Sequence, residues 1–224
     1  MAKICHVLSG YLRDDARINR QCRSLLKAGH EVFILTNDGL NDDEKENIKI
    51  KVCKKFWKNR FKEILFARWQ FHKEIKELDA DVYQLHSPEL LNLVWYIKKL
   101  NKKIVYDAHE DLPNHILEKE WIPSILRNLI SFLSILYFNL VLSKIDGIVS
   151  PHAHVIEKLK IINNASEEIT NFPQIKSQTS FNLKDYLSRD EIICYAGTVY
   201  NYSNQENTIA VSYTHLTLPT MFEV

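Results

Sequence analysis

The order of apolar segments constrains the fold of this chain more than any other feature. Short apolar runs of strand length alternate with longer segments of helical periodicity. The predicted strands cover residues 3–9, 31–36, 48–53, 82–85, 104–106, 147–150 and 168–171. Strands separated by helices favour right-handed βαβ units and a parallel sheet that is covered on both faces. The sequence therefore predicts an α/β, Rossmann-like fold.

Helical segments connect these strands. The predicted helices cover residues 16–28, 57–78, 89–100, 116–143 and 153–161. Asp14 or Asp15 can cap the first helix, and Gly29 ends it. The longest apolar stretch, residues 128–142, is interrupted by serine and asparagine. It is shorter than the ~20 apolar residues that a membrane span needs, so we expect no span. We expect the helix over 125–142 to be buried core; alternatively, it adds to a membrane-facing surface.

The composition is that of a globular protein. Of the 224 residues, 46% are apolar and 25% are charged, and the formal net charge is +1. A nearly neutral chain argues against broad nucleic-acid binding, so we expect no nucleic-acid partner. The four cysteines show no CxxC spacing, which favours a reduced, cytoplasmic compartment.

The composition and the apolar periodicity of the sequence change near its end. We expect residues 1–176 to form one Rossmann-like domain, 177–190 a polar linker and 191–210 the first strand and loop of a second, truncated domain. Residues 211–220 read VSYTHLTLPT, which resembles the translation of a transposon-end sequencing adapter. We therefore expect residues 211–224 to be a non-native tail and the gene to be cut near Ala210.

Ligands of parallel α/β sheets bind at the carboxyl ends of the strands, which directs attention to the loop GYLRDDAR over 10–17. Backbone N–H groups at the helix start can hold an anion, and Arg13 and Arg17 can bind phosphate or sugar hydroxyls. Alternatively, Asp15 caps the helix and Arg17 is solvated. The loop has neither a GxGxxG nor a Walker pattern, so a dinucleotide or ATP site is disfavoured.

Two further strand ends carry histidines. His86 follows one strand and precedes Ser87, Pro88 and Glu89, which suit the start of a helix.

The other strand end reads DAHED over 107–111. A carboxylate near His109 would raise its pKa or orient its ring, and His109 would then bind a sugar hydroxyl or stabilise charge on a departing phosphate. A capping box in a solvated loop is the alternative. The pair His152 and His154 fits a helix surface better than a metal site.

Residues 54–76 are rich in lysine, arginine and aromatic side chains. On a helix, one face would pack on the sheet. The opposite face would present five side chains to an anionic membrane surface: Lys62, Phe66, Trp69, Lys73 and Lys76. Alternatively, this is an ordinary basic amphipathic helix whose aromatic residues cover a neighbouring element.

With these residues assembled, the chain resembles the N-terminal domain of family 4 glycosyltransferases of the GT-B fold, and in particular the bacterial enzymes of cell-surface polysaccharide synthesis. The motifs that carry the resemblance are DARI at 15–18, HSPELL at 86–91, YDAHED at 106–111, DGIVS at 146–150 and NFP at 171–173. Two departures are a serine at position 87, where the family usually has aspartate, and a first loop with Gly10 alone in place of Gly-Gly.

The resemblance implies two Rossmann domains that face a cleft, with the acceptor bound by the N-terminal domain and a nucleotide-sugar by the C-terminal domain. It implies a retaining transfer with no metal and no cofactor, and it makes His109 the catalytic residue beside the transferred sugar. The expected substrate-binding residues are Gly10, Arg13, Asp15, Arg17, His86, Glu89, Asp107, Glu110 and Ser150.

We therefore expect a fragment of a cytoplasmic glycosyltransferase that is peripheral at the inner face of the cell membrane. Its parent would transfer a sugar from a nucleotide-sugar to a lipid-linked or other glycan acceptor, and the fragment alone would be inactive. The alternatives are a nucleotide-sugar epimerase of the same architecture and a non-catalytic module that binds a membrane surface.

Overall fold

An eight-stranded sheet forms the centre of the part of the chain that the structure describes. The computed structural model describes residues 1–10, 15–38, 40–53, 60–109, 123–170 and 172. Within them, eight strands are arranged in the order β3-β4-β2-β1-β5-β6-β7-β8. Their bounds are Lys3–Leu8 (β1), Glu31–Thr36 (β2), Asp43–Lys45 (β3), Ile48–Val52 (β4), Val82–Leu85 (β5), Lys103–Asp107 (β6), Gly147–Ser150 (β7) and Ser166–Glu168 (β8). All described pairings are parallel except β3 with β4, which confirms the predicted Rossmann-like class.

Helices cover the sheet. Their bounds are Ala16–Lys27 (α1), Arg60–Leu78 (α2), Val94–Lys99 (α3), Ser124–Leu142 (α4) and Ala153–Lys160 (α5), and a 3-10 helix, Pro88–Leu93, leads into α3. Asp15 caps α1, since its Oδ1 accepts the N–H groups of Arg17 at 2.9 Å and Ile18 at 3.2 Å. Gly29 follows the helix with a positive φ of 81°, a conformation that glycine adopts without strain.

Both faces of the sheet are buried. Phe33 and Leu35 of β2 belong to the larger apolar cluster, which includes Phe71 and Ile75 of α2. Val32 and Ile34, the alternate residues of the same strand, belong to a second cluster with Ile18 and Cys22 of α1. Because side chains alternate along a strand, the two clusters lie on opposite faces, and the strands read as continuous apolar runs.

Three local predictions differ from the structure. The predicted helix over 89–100 begins as a 3-10 helix, and the side chain of Ser87 makes no capping hydrogen bond. The edge strand β3 was missed because all three of its side chains are exposed and polar. The last strand was placed at 168–171 but lies at Ser166–Glu168, because Ser166, a polar residue, is its buried position.

Helix α4 also differs from the expectation. Its inner face is buried through Phe138, Val141 and Leu142, but much of the helix is open to solvent. Its exposed large apolar side chains are Leu126, Leu129, Ile130, Phe132, Leu133, Ile135, Leu136, Tyr137 and Leu140. The helix is therefore core on one side only. Among the described residues, no helix combines the length and apolarity that crossing a bilayer requires.

Helix α2 has the predicted two faces where its side chains are described. Phe71, Ile75 and Leu78 are buried, whereas Trp69 is 65% exposed and Lys73 and Lys76 are exposed. The side chains of Lys62 and Phe66 lie outside the described part. The predicted boundaries at 177–190, 191–210 and 211–224 also lie outside it, since every described residue falls within one compact unit, Met1–Gln174.

Candidate functional site at the strand ends

Three neighbouring strands bring the candidate residues together. Strands β1, β5 and β6 are adjacent in the sheet, and their carboxyl ends lie at the same edge. His86 directly follows β5, Asp107 is the last residue of β6, and His109 lies two residues further on. His6 of β1 pairs in register with Gln84 of β5. The parallel topology therefore gathers side chains that are far apart in sequence.

Asp107 is the centre of this cluster, and its side chain is only 2% exposed. Its Oδ1 lies 3.0 Å from Nε2 of His109, and its Oδ2 lies 3.1 Å from Nδ1 of His86. Both ring nitrogens are close to the carboxylate without the alignment of a full hydrogen bond, so these contacts are mainly electrostatic. Gln21 of α1 donates to Oδ2 at 3.0 Å, and Gln84 donates to it at 3.4 Å.

Burial and the contacts among these side chains together set the protonation states of the cluster. Burial raises the pKa of Asp107, but the contacts with His109 and His86 outweigh it and hold that pKa well below its usual range. Burial lowers the pKa of His86, and it lowers the pKa of His6 to about 3. At neutral pH the cluster thus contains an ionised carboxylate beside two neutral buried imidazoles.

Arg17 and His109 line the same two cavities, of about 260 and 280 Å³. Gln21, Gln84 and Asp107 line the first, and His86 and Glu89 line the second.

The Nε atom of Arg17 is buried and has no hydrogen-bond partner among the described residues. A buried donor without a partner costs ~1–3 kcal/mol, which an anionic or hydroxyl-bearing ligand would recover.

The structure brings together five of the predicted site residues: Arg17, His86, Glu89, Asp107 and His109. Three of the others, Gly10, Asp15 and Ser150, do not line these cavities. Gly10 donates its N–H to Oδ1 of Asn37 at 2.8 Å, Asp15 caps α1, and the Oγ of buried Ser150 accepts the N–H of His152 at 3.3 Å. The side chains of Asp15 and Ser150 thus serve the local backbone, and the N–H of Gly10 is taken up by the side chain that directly follows β2. Arg13 and Glu110 lie outside the described residues.

Sequence reasoning missed three members of the cluster. His6 is fully buried, and its Nδ1 lies 2.9 Å from Nε2 of His86. Gln21 and Gln84 hold the carboxylate of Asp107, and Gln84 also donates to Oε1 of Gln21 at 3.0 Å. For two of them, the available signal was a polar side chain within an otherwise apolar strand. These are His6 in KICHVL and Gln84 in VYQL.

The spacing of this cluster also invites comparison with a metal site. One ligand-type atom from each of His86, Asp107 and His109 lies within 4.8 Å of the others. However, each imidazole faces a different oxygen of the one carboxylate, and the cation Arg17 lines the adjacent cavities. We interpret the cluster as a buried polar network around one ionised carboxylate. His152 and His154 are exposed beside the start of α5, as expected for a surface pair.

The fold and this cluster define an α/β protein with a Rossmann-like sheet and polar cavities at its strand ends. The family model for Glycosyltransferase Family 4 matches residues 16–170. The chain therefore belongs to glycosyltransferase family 4. None of the curated proteins matches the chain.

Solved structures agree with this class. Sucrose-phosphate synthase from Thermosynechococcus elongatus is similar with a TM-score of 0.56 and 10% identity, over 76% of this chain and 48% of that one. The likeness supports the fold of GT-B glycosyltransferases. This chain thus spans about half the length of that structure.

Two further structures score lower. A glycosyltransferase from Rickettsia africae has a TM-score of 0.47 and 19% identity, over 75% of this chain and 42% of that one. A putative UDP-N-acetylglucosamine 2-epimerase from Listeria monocytogenes has a TM-score of 0.47 and 11% identity, over 74% and 43%.

Proposed function

We propose that this chain is the acceptor-side half of a retaining glycosyltransferase that moves a sugar from a nucleotide-sugar to a glycan acceptor. The observation that carries the proposal is the pairing of Arg17 and His109 on the walls of the same two cavities, in a chain of family 4. The guanidinium suits a phosphate or a sugar hydroxyl, and the imidazole suits the transferred sugar.

In this proposal His109 is the catalytic residue. Asp107 holds the ring from behind, and in its protonated form the ring can stabilise negative charge as the nucleotide diphosphate departs. When neutral, the same ring accepts a hydrogen bond from a sugar hydroxyl. Transfer needs no metal or cofactor here, since the charges of Arg17 and of the donor-binding half would meet the diphosphate.

We further propose that the acceptor is lipid-linked and that the protein works in cell-surface polysaccharide synthesis, peripherally at the inner face of the membrane. The exposed apolar side of α4 supports this, because soluble proteins rarely leave so large an apolar surface uncovered. The exposed Trp69, Lys73 and Lys76 of α2 add an aromatic group and cations that suit anionic lipid. The buried free thiols of Cys5, Cys22 and Cys53 suit the cytoplasm.

We propose that this chain alone does not transfer sugar. It spans 48% of the sucrose-phosphate synthase structure, and in the proposed enzyme the donor would be bound by a second domain. The catalytic experiments below therefore use the enzyme expressed from a gene extended past Ala210.

The deciding experiment is product analysis. The extended enzyme is incubated with a panel of nucleotide-sugars, with and without a membrane extract as the source of acceptor lipid. Transfer of labelled sugar to the lipid fraction supports the proposal. A free epimerised nucleotide-sugar with no transfer would instead establish the epimerase. Vesicle binding with neither product would leave the non-catalytic membrane module.

A further inference from the structure

We propose that a buried relay of His6, His86 and Asp107 fixes the ring of His109 with its proton on Nε2, so that Nδ1 is the nitrogen that meets a ligand. His6 and His86 would then be positioning residues. The role of His109 toward substrate rests on the proposed function, but the proton arrangement does not.

The first step follows from the carboxylate. Ionised Asp107 can only accept hydrogen bonds. Nδ1 of His86 lies 3.1 Å from its Oδ2, and Nε2 of His109 lies 3.0 Å from its Oδ1. An unprotonated ring nitrogen at either position would set its lone pair against a negative oxygen. Both nitrogens must therefore carry hydrogen.

The second step concerns the contact between His86 and His6. A neutral His86 with hydrogen on Nδ1 has a lone pair on Nε2, and burial keeps this ring neutral. Nε2 lies 2.9 Å from Nδ1 of His6, so Nδ1 of His6 must donate. Neutral His6 then has its lone pair on Nε2, a buried atom with no partner among the described residues. In His6 and His86 alike, the hydrogen is therefore on the nitrogen that comes nearer to Asp107 along the relay.

The third step concerns the cavity. His109 is 18% exposed and lines both cavities, yet its Nε2 is buried against Asp107. Nδ1 is therefore the nitrogen left to bind a ligand. The rings of His86 and His109 are nearly parallel, at 9° with centroids 6.3 Å apart, as expected for two imidazoles that flank one carboxylate. The relay thus sets which ring nitrogen of His109 meets the substrate.

The test is nuclear magnetic resonance of the full 224-residue chain, labelled with ¹⁵N in histidine and measured at neutral pH. Long-range ¹H–¹⁵N spectra distinguish the two tautomers of each ring. Free imidazoles favour hydrogen on Nε2, so the diagnostic result is the opposite tautomer at both His6 and His86. We expect that result, together with an Nε2–H resonance of His109 that is protected from exchange with water. Hydrogen on Nε2 of His86, or on Nδ1 of neutral His109, would overturn the relay.

Two variants of His86 test positioning. In His86→Asn the side-chain amide can replace the Nδ1–H donor toward Asp107, whereas the longer side chain of His86→Gln places its amide near the site of Nε2. We expect the protected His109 resonance to persist in His86→Asn and to broaden by exchange in His86→Gln. Equal spectra in the two variants would show that His86 does not position His109. These spectra require no turnover, so their result does not depend on whether the proposed transferase activity is correct.

Discussion

Nε2 of His109 lies 3.0 Å from the buried carboxylate of Asp107, two residues before it at the end of β6. Asp107 ends the strand and His109 lies in the loop that follows it, at the same edge of the sheet. The pair combines an anchored, buried anion with an imidazole at a cavity wall. Asp107 thus fixes one wall of the candidate site to the end of the sheet.

Removing the imidazole should abolish chemistry and spare the fold. We expect His109→Ala in the extended enzyme to lower kcat by about 10²-fold or more, since one preorganised donor to a developing charge contributes that much. Stability should change little, because Gln21, Gln84 and His86 still hold Asp107. Turnover assays and urea denaturation measure the two effects. His154→Ala, at an exposed position, is the control, and near-normal turnover of His109→Ala would remove His109 from catalysis.

We expect Arg17 to contribute to substrate binding and to lower the stability of the protein when no ligand is bound. We expect Arg17→Met to lower kcat/KM by about 10²-fold and to leave unfolding free energy unchanged or raised, because a buried donor without a partner is removed. Arg17→Lys should not restore activity, since lysine lacks the planar fork. Lys27→Met, on the exposed end of the same helix, serves as control. A clear loss of stability in Arg17→Met, with normal kcat/KM, would show a structural role only.

The two buried histidines predict a pH dependence of stability. The pKa of His6 is lowered to about 3 from a usual value near 6.5. Between these values the unfolded chain takes up a proton that the folded chain refuses, so stability falls as pH falls, by up to about 1.4 kcal/mol per pH unit. His86 acts in the same direction. The lowered pKa of Asp107 adds a further loss once pH falls below about 4.

Urea denaturation of the chain between pH 7.5 and 4.5 measures this slope. His6→Asn keeps an amide donor near the place of Nδ1 and cannot titrate, so we expect a lower stability at pH 7 but a shallower slope. His152→Asn, at an exposed position, should keep the parent slope. Parallel curves for His6→Asn and the parent would contradict the assignment.

The sheet and much of the site were predictable from sequence, for physical reasons that differ by residue. Strands β2, β5 and β7 were predicted with their observed bounds, because buried parallel strands are apolar runs between polar turns. Asp107 and His109 were identifiable because charged residues directly after such a strand lie at its carboxyl edge. His6 was missed, because its one local mark is a polar side chain in an otherwise apolar strand, and its partner His86 follows another strand.

Other misses have the same origin. The apolar pattern of α4 predicts a helix but does not say how much of it the sheet covers, and nine of its large apolar side chains are exposed. Ser150 occupies a strand end like Asp107, yet its hydroxyl serves the local backbone. Position at the strand edge thus selects candidates, and only tertiary contacts decide among them.

Metal removal tests the interpretation of the His86, Asp107 and His109 cluster. We expect the extended enzyme to keep its full rate after dialysis against a chelator, because each imidazole is already engaged with its own carboxylate oxygen. Measured transfer rates with chelator, and after adding back Mg²⁺, Mn²⁺ or Zn²⁺, give the answer. Loss of activity that one of these ions restores would assign the three side chains to a metal.

Vesicle binding tests the membrane proposal, and the two candidate surfaces can be separated. The apolar surface of α4 should bind independently of salt, whereas the basic surface of α2 should weaken as salt screens it. We expect the paired change Leu129→Gln and Leu133→Gln, at positions 54% and 53% exposed, to reduce binding at least ~10-fold with an unchanged fold, since each leucine contributes ~1.5–3 kcal/mol when it leaves water. The paired change Lys73→Gln and Lys76→Gln, at exposed positions of α2, should act mainly at low salt.

Flotation with vesicles of neutral lipid, and with vesicles that contain anionic lipid, measures both effects in the 224-residue chain. Ile161→Gln is the matched control, because Ile161 is 89% exposed and lies on neither helix. Binding to anionic vesicles that only the α4 variant loses would place the contact on the apolar helix alone. If the parent chain does not float, or if both paired variants float as well as the parent, neither helix forms a membrane surface. In that case the exposed side of α4 must instead be explained by contact with protein.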